Sequence, residues 1–162
     1  MHALVRLLAS SAALACLLAV GSAACGALDG EAPLFRDTTR QPAVAPPDAA
    51  RLLRSRDVEV DFDALGGTNP RASAAPQTVL LNLFPDATYV AVRDSVAPTS
   101  AGRGVIWSGY LEGMAGSSVM LAVEDGVLAG TVAVGPRRYQ VRYAGNGVHV
   151  VSEFDPGAFP RD

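Results

Sequence analysis

The chain has 162 residues, 49% of them hydrophobic and 18% charged, with a formal net charge of −3. That is enough apolar material for one folded domain with flanking segments. The basic residues are all arginine, and a mildly acidic balance gives no electrostatic reason to expect a nucleic-acid partner.

His2 and Arg6 precede an apolar run from Leu7 to Val20, which gives way to Gly21-Ser22-Ala23-Ala24. A short basic start, an apolar stretch and small residues at the cut predict a secretory signal peptide over residues 1–24. The run is shorter than the roughly 20 apolar residues of a membrane span. The protein is therefore expected to be exported, to a bacterial periplasm or the extracellular space. Cys16 leaves with the signal. Cys25 follows a Ser-Ala-Ala stretch that resembles a bacterial lipobox, in which the cysteine takes a diacylglycerol. The match departs from that pattern at Ser22, where leucine is usual, and plain cleavage after Ala24 or Ala27 is the other reading. Cys25 is the lipidation candidate and offers the one expected route to a membrane. No cysteine follows it, so the exported domain holds no internal disulfide and depends on its core.

Residues 25–47 are rich in Ala, Pro, Asp and Thr without a sustained period and read as a disordered tether. The domain proper is expected over residues 48–162. Asp48 is placed to cap a short N-terminal helix through Ala49-Ala50-Arg51-Leu52-Leu53-Arg54. From there the period becomes 2: Val58, Val60 and Phe62 alternate with Glu59, Asp61 and Asp63. After a loop from Gly66 to Gln77, Thr78–Phe84 reads as a central strand, Pro85-Asp86 as a turn and Thr88–Val96 as the returning strand. Val105–Leu111, Ser118–Val123 and Val127–Val134 follow, with Glu124-Asp125-Gly126 marking a tight turn. Gly135-Pro136 leads into a last hairpin, Tyr139–Tyr143 and Val148–Val151, across Ala144-Gly145-Asn146-Gly147. About eight strands joined by short turns predict an all-β fold, an antiparallel meandering sandwich or partly open barrel. The expected core is Val79, Leu81, Leu83, Trp107, Leu121, Val132, Tyr139 and Val141.

Chemistry-bearing patterns are sparse. The only histidines are His2 and His149, so a zinc site of the paired-histidine kind cannot be assembled. His149 alternates with Val148 and Val150 and is expected on the wet face of its strand rather than as a catalytic base. No Gly-x-Ser-x-Gly elbow occurs. Glu59, Asp61 and Asp63 fall roughly 6–7 Å apart along one strand face, a pattern open to a calcium site or to the carboxylate pair of a glycosidase, although a solvated face accounts for it. Arg137-Arg138 is read as an edge charge that discourages aggregation, rather than a dibasic processing site. No catalytic, cofactor-binding or metal-binding residue is assigned, and no cofactor is expected.

The succession Arg56-Asp57-Val58-Glu59-Val60, Leu81-Asn82-Leu83-Phe84-Pro85-Asp86-Ala87-Thr88-Tyr89, Trp107-Ser108-Gly109-Tyr110-Leu111-Glu112-Gly113, Ser118–Val123 and Leu128-Ala129-Gly130-Thr131-Val132 resembles the propeptide domain of reprolysin-type (adamalysin-like) zinc metalloproteases. Gly135–Val141 is similar to that family's last tyrosine strand. Val150–Pro160 resembles the segment leading toward the protease. The resemblance runs from residue 51 to the end. It implies a non-catalytic domain whose partner is a zinc metalloprotease that it binds, chaperones or occludes. In the family a peptidase domain follows, so a detached propeptide or a truncated protease precursor is expected. Many animal members use a propeptide cysteine as a zinc ligand. Here none follows Cys25, so occlusion is expected to be steric or through a carboxylate such as Asp155. The furin-type cleavage motif is absent from the C-terminal segment. The partner-binding candidates are Phe154, Asp155 and Phe159. The alternative is a lipid-anchored surface or periplasmic β-domain with a structural or adhesion role.

Overall fold

The turns dictate the architecture. Asp125-Gly126 and Asn146-Gly147 hold positive φ at both residues (51° and 71°, 56° and 75°), the backbone that joins two right-twisted antiparallel strands with least splay. Together with Pro85-Asp86 and Gly135-Pro136 they fold the chain back on itself repeatedly. In the computed structural model, which describes residues 32–44, 52–155 and 157, nine strands form one sheet: β1 (Phe35–Asp37), β2 (Leu52–Val60), β3 (Thr78–Phe84), β4 (Ala87–Pro98), β5 (Gly104–Leu111), β6 (Ser118–Glu124), β7 (Val127–Val134), β8 (Arg137–Gly145) and β9 (Val148–Phe154). Strands β3 to β9 meander in sequence order, and β2 and β1 add beyond β9. Every ladder is antiparallel.

The sheet curls until β1 meets β3. There the amide N–H of Leu34 donates to the Leu80 carbonyl at 3.0 Å, and Pro33 makes a parallel bridge to Leu80. The side chain of Asn82 does the rest. Its Oδ1 accepts from the Phe35 N–H at 2.9 Å and its Nδ2 donates to the Phe35 carbonyl at 2.7 Å. The result is a nearly closed barrel. Its upper end carries the β2–β3 loop and the β4–β5, β6–β7 and β8–β9 turns. Its lower end carries the other three turns, the start of β2 and the exit of β9.

All eight expected core residues are at most 2% exposed. Inward residues of β3 to β9 fill the interior, with Trp107 donating its indole N–H to the Pro76 carbonyl at 3.0 Å. Tight curling requires close backbone approach at Gly109, where a Cβ would stand 2.0 Å from the Val92 carbonyl oxygen.

Several expectations are corrected. The ninth strand, β1, comes from the stretch read as a tether: Leu34 and Phe35 are 0% and 2% exposed, two core residues whose signal is diluted by the surrounding Pro, Asp and Thr. Of the expected helix, residues 49–51 lie outside the described residues, and Leu52-Leu53-Arg54 instead begin β2, because pairing with β9 outweighs weak local helix preference. The acidic row does not share a strand face. β2 ends at Val60, and Asp61 caps a short 3-10 turn, Phe62–Leu65, by accepting the Asp63 N–H at 3.2 Å while pairing with Arg36. His149 is buried, not wet, because its register with Val58 and Tyr143 turns it into the barrel. Arg137-Arg138 opens β8, which has β7 and β9 on its two sides, so these charges guard no sheet edge.

Two substitutions test this account by urea denaturation. Gly109→Ala is expected to cost about 3 kcal/mol, the upper range of core overpacking. Asn82→Ala leaves the Phe35 N–H and C=O without partners and is expected to cost about 1–3 kcal/mol.

Candidate functional site

Strand β1 is three residues long and pairs only with Val58–Val60. Beyond Asp37 the chain leaves the sheet for the β8–β9 turn, where the N–H groups of Ala43 and Val44 donate to the Ala144 carbonyl at 2.7 and 3.1 Å. Among the described residues, the strand position between β2 and β3 is therefore occupied by backbone at the upper end alone. Lower down, the first half of β2 pairs only with β9, and the second half of β3 only with β4.

Two arginines cross this slot. Alternation along β2 puts Arg54, Arg56 and Val58 on one face. Arg56 Nη2 donates to the Asn82 carbonyl at 2.8 Å, and its Nη1 stands 3.5 Å from the exposed Asp37 carboxylate. Arg54 donates from Nε to Glu153 Oε2 at 2.6 Å and from both Nη atoms to Asp86, at 2.6 and 3.0 Å. Its guanidinium carbon lies 4.1 Å from the centroid of the Phe84 ring, within cation–π range. The bidentate bond from Arg54 holds the Asp86 carboxyl below its usual range, and Asp86 in turn raises the guanidinium. Glu153 is buried and meets Arg54 on β2 and Tyr139 on β8 in register.

Beneath this rim the lower end is aromatic. Tyr139 packs 6.2 Å from Phe84 and 6.5 Å from Tyr89, centroid to centroid. Burial raises its phenol, and a 3.4 Å hydrogen bond donated by Arg137 works in the other direction. The Asp86 carboxylate, held low by Arg54, stays ionised near neutral pH and suits ion pairing better than proton transfer.

Of the expected partner-binding residues, Phe154 ends β9, half-buried, in register with Leu52 and Arg138. Asp155 is exposed and accepts the Gly157 N–H at 2.8 Å. Phe159 and Cys25 lie outside the described residues. Phe154 and Asp155 thus leave the barrel one strand away from the slot. Arg54, Arg56, Asn82, Asp86 and Glu153 went unassigned in the sequence. The available signal was Arg54-x-Arg56-x-Val58-x-Val60, a period of 2 that begins before Arg56. Among the described residues, no group of three or more His, Cys, Asp or Glu is placed to hold a metal ion.

Arg54 anchors a buried carboxylate on one side and an exposed one on the other, and these differ in worth. Arg54→Met is expected to destabilise by about 2 kcal/mol, discounted from the cost of breaking a fully buried pair because the arginine is partly exposed. Asp86→Asn is expected to leave the urea midpoint nearly unchanged, because water screens an exposed ion pair. A double-mutant cycle of Arg54→Met with Glu153→Gln, read by urea midpoint, should recover part of the loss. No protein-family model, curated protein or solved structure matches the chain.

Proposed function

We propose that the chain is a non-catalytic, exported binding domain that chaperones or occludes a zinc metalloprotease, presenting the lower end of its barrel to that partner. The reading rests on one observation: among the described residues, the strand position between β2 and β3 ends at Asp37, and Phe154 and Asp155 emerge one strand away. Edge backbone on β2 and β3 can take an extended segment by strand addition, which supplies main-chain hydrogen bonds, while neighbouring side chains supply selectivity. A half-buried aromatic next to such an edge is the kind of anchor that dominates protein–protein affinity. The resemblance of residues 51 onward to reprolysin-type propeptides is what names a metalloprotease as the partner.

The test is to mix the purified chain with a reprolysin-type zinc peptidase, following complex formation by calorimetry and turnover with a peptide substrate. Binding with a lowered cleavage rate is expected, and Phe154→Ala should weaken the complex at least about tenfold, roughly 1.4 kcal/mol. The absence of both binding and any change in turnover would remove the reading.

A further inference from the structure

At the upper end, the β7–β8 ladder runs from Val134↔Arg137 to Gly130↔Val141 and stops there. Leu128, two residues further, is in register with Val123 on β6 but has no partner on β8 in that ladder. Its amide N–H donates instead to Nε2 of His149 on β9, at 3.0 Å. The imidazole is 1% exposed. Because Nε2 accepts, a neutral ring must carry its proton on Nδ1, which is buried without a hydrogen-bond partner among the described residues.

The same ring touches the loop that spans this end of the barrel, residues 61–77. Phe62 lies 6.0 Å from it, centroid to centroid, edge to face, and Tyr143 of β8 lies 5.1 Å away on its own strand. Further along, the loop is tied to the β6–β7 turn, which immediately precedes Leu128. Asp125 N–H donates to Asn69 Oδ1 at 2.6 Å and Gly126 N–H to the Thr68 carbonyl at 3.1 Å. Near its end the Pro76 carbonyl accepts the Trp107 indole N–H, and Arg93 of β4 holds the Ala75 and Gln77 carbonyls, while at its start the Asp61 N–H donates to the Leu34 carbonyl at 2.8 Å. One contiguous set of contacts therefore joins His149, Leu128, the β6–β7 turn and the loop.

We propose that His149 is an acid-operated latch: its protonation releases the loop 61–77 from the upper end of the barrel while the sheet itself stays paired. A protonated ring would aim a second donor at the Leu128 N–H and bury a cation with no carboxylate bonded to it. The ionisable groups nearest in each packed element are few. Tyr143 on β8 presents a phenol, whose oxygen accepts the Gly147 N–H at 3.3 Å. Asp61 and Asp63 flank Phe62 on the loop, with Asp61 engaged by Arg36. Asp57 and Glu59 flank Val58, the cross-strand neighbour on β2, and β7 contributes the uncharged Val127 and Leu128. Burial pulls the imidazole down to about 4, with the Gly147 backbone acting the other way. A folded-state value below the ordinary 6.5 means that the unfolded or released state binds the proton more readily. The latch is then fully closed above about 6.5 and loses its hold as pH falls from there toward about 4.

Trp107, the single tryptophan of the chain, reports on the loop directly. In the whole wild-type chain, its emission is expected to shift reversibly to the red as pH falls from 7 to 4 while the far-ultraviolet strand signal persists. The protection factor of the Leu128 amide should fall at least tenfold over the same interval. His149→Gln keeps an acceptor for Leu128 and cannot titrate, so its emission should stay flat. An equal shift in His149→Gln, unchanged emission and Leu128 protection in the wild type at pH 4, or loss of the strand signal together with the emission change would each overturn the latch. If His149→Gln does not fold, Leu128 protection in the wild type decides alone.

Discussion

The two hydrogen bonds between the Asn82 side chain and the Phe35 backbone are the contact on which the closed form of this sheet depends. A curled antiparallel sheet that fails to close leaves two edges with unpaired N–H and C=O groups, open to any passing strand. Here β1 covers one edge for only three residues, and its ladder reaches β2 but not β3. Asn82 is the residue type that can finish the closure, because a primary amide offers one donor and one acceptor in the same spacing as a peptide group. Leu34 and Phe35, which this closure brings against the barrel, add two fully buried apolar side chains to the core.

The same device recurs where the ladder fails elsewhere. Below β1, the carbonyl of Asn82 is met not by a strand but by the guanidinium of Arg56, and Arg54 spans the remaining distance to Asp86 and Phe84. Above, where β7 and β8 part, the N–H of Leu128 is met by the imidazole of His149. Buried backbone groups must be paired, and side chains serve at these points. Side-chain substitutes differ from ladder bonds in being titratable or exchangeable. Functional behaviour is therefore best sought at these breaks in the ladder: ion-paired recognition at the lower end, and proton-dependent release of a loop at the upper.

The division of labour between the ends follows from packing. The middle of the barrel is filled by the buried side chains of Trp107, Leu81, Leu121, Val132 and Val141. Chemistry-bearing groups are pushed outward to the ends, where Glu153 with Arg54 lies below and His149 with Tyr143 above. The surface grooves accord with this, one of about 400 Å³ beside Arg71 and Arg103 and one of about 380 Å³ beside Asp61 and Asp63.

Much of the fold was legible in the residues themselves. Period-2 alternation and the Asp-Gly and Asn-Gly turns specify an antiparallel meander, because each side chain's face and each turn's hand are local properties. Hence the strands from β3 to β9 and all eight core residues stand where the pattern puts them. Phe35 and Leu52-Leu53-Arg54 depart from the local pattern because their strand character comes from partners far along the chain, on β2 and β9, and not from neighbours. The candidate site was illegible for the same reason. Arg54 meets Asp86 and Glu153 across separations of 32 and 99 residues, and His149 was assigned to the wet face because alternation says which residues share a face, never which face the barrel encloses. Sequence alone determined the strands from β3 to β9, their turns and the eight core residues they carry. Only the tertiary structure decided how the sheet closes, and closure chooses which polar side chains must stand in for missing backbone.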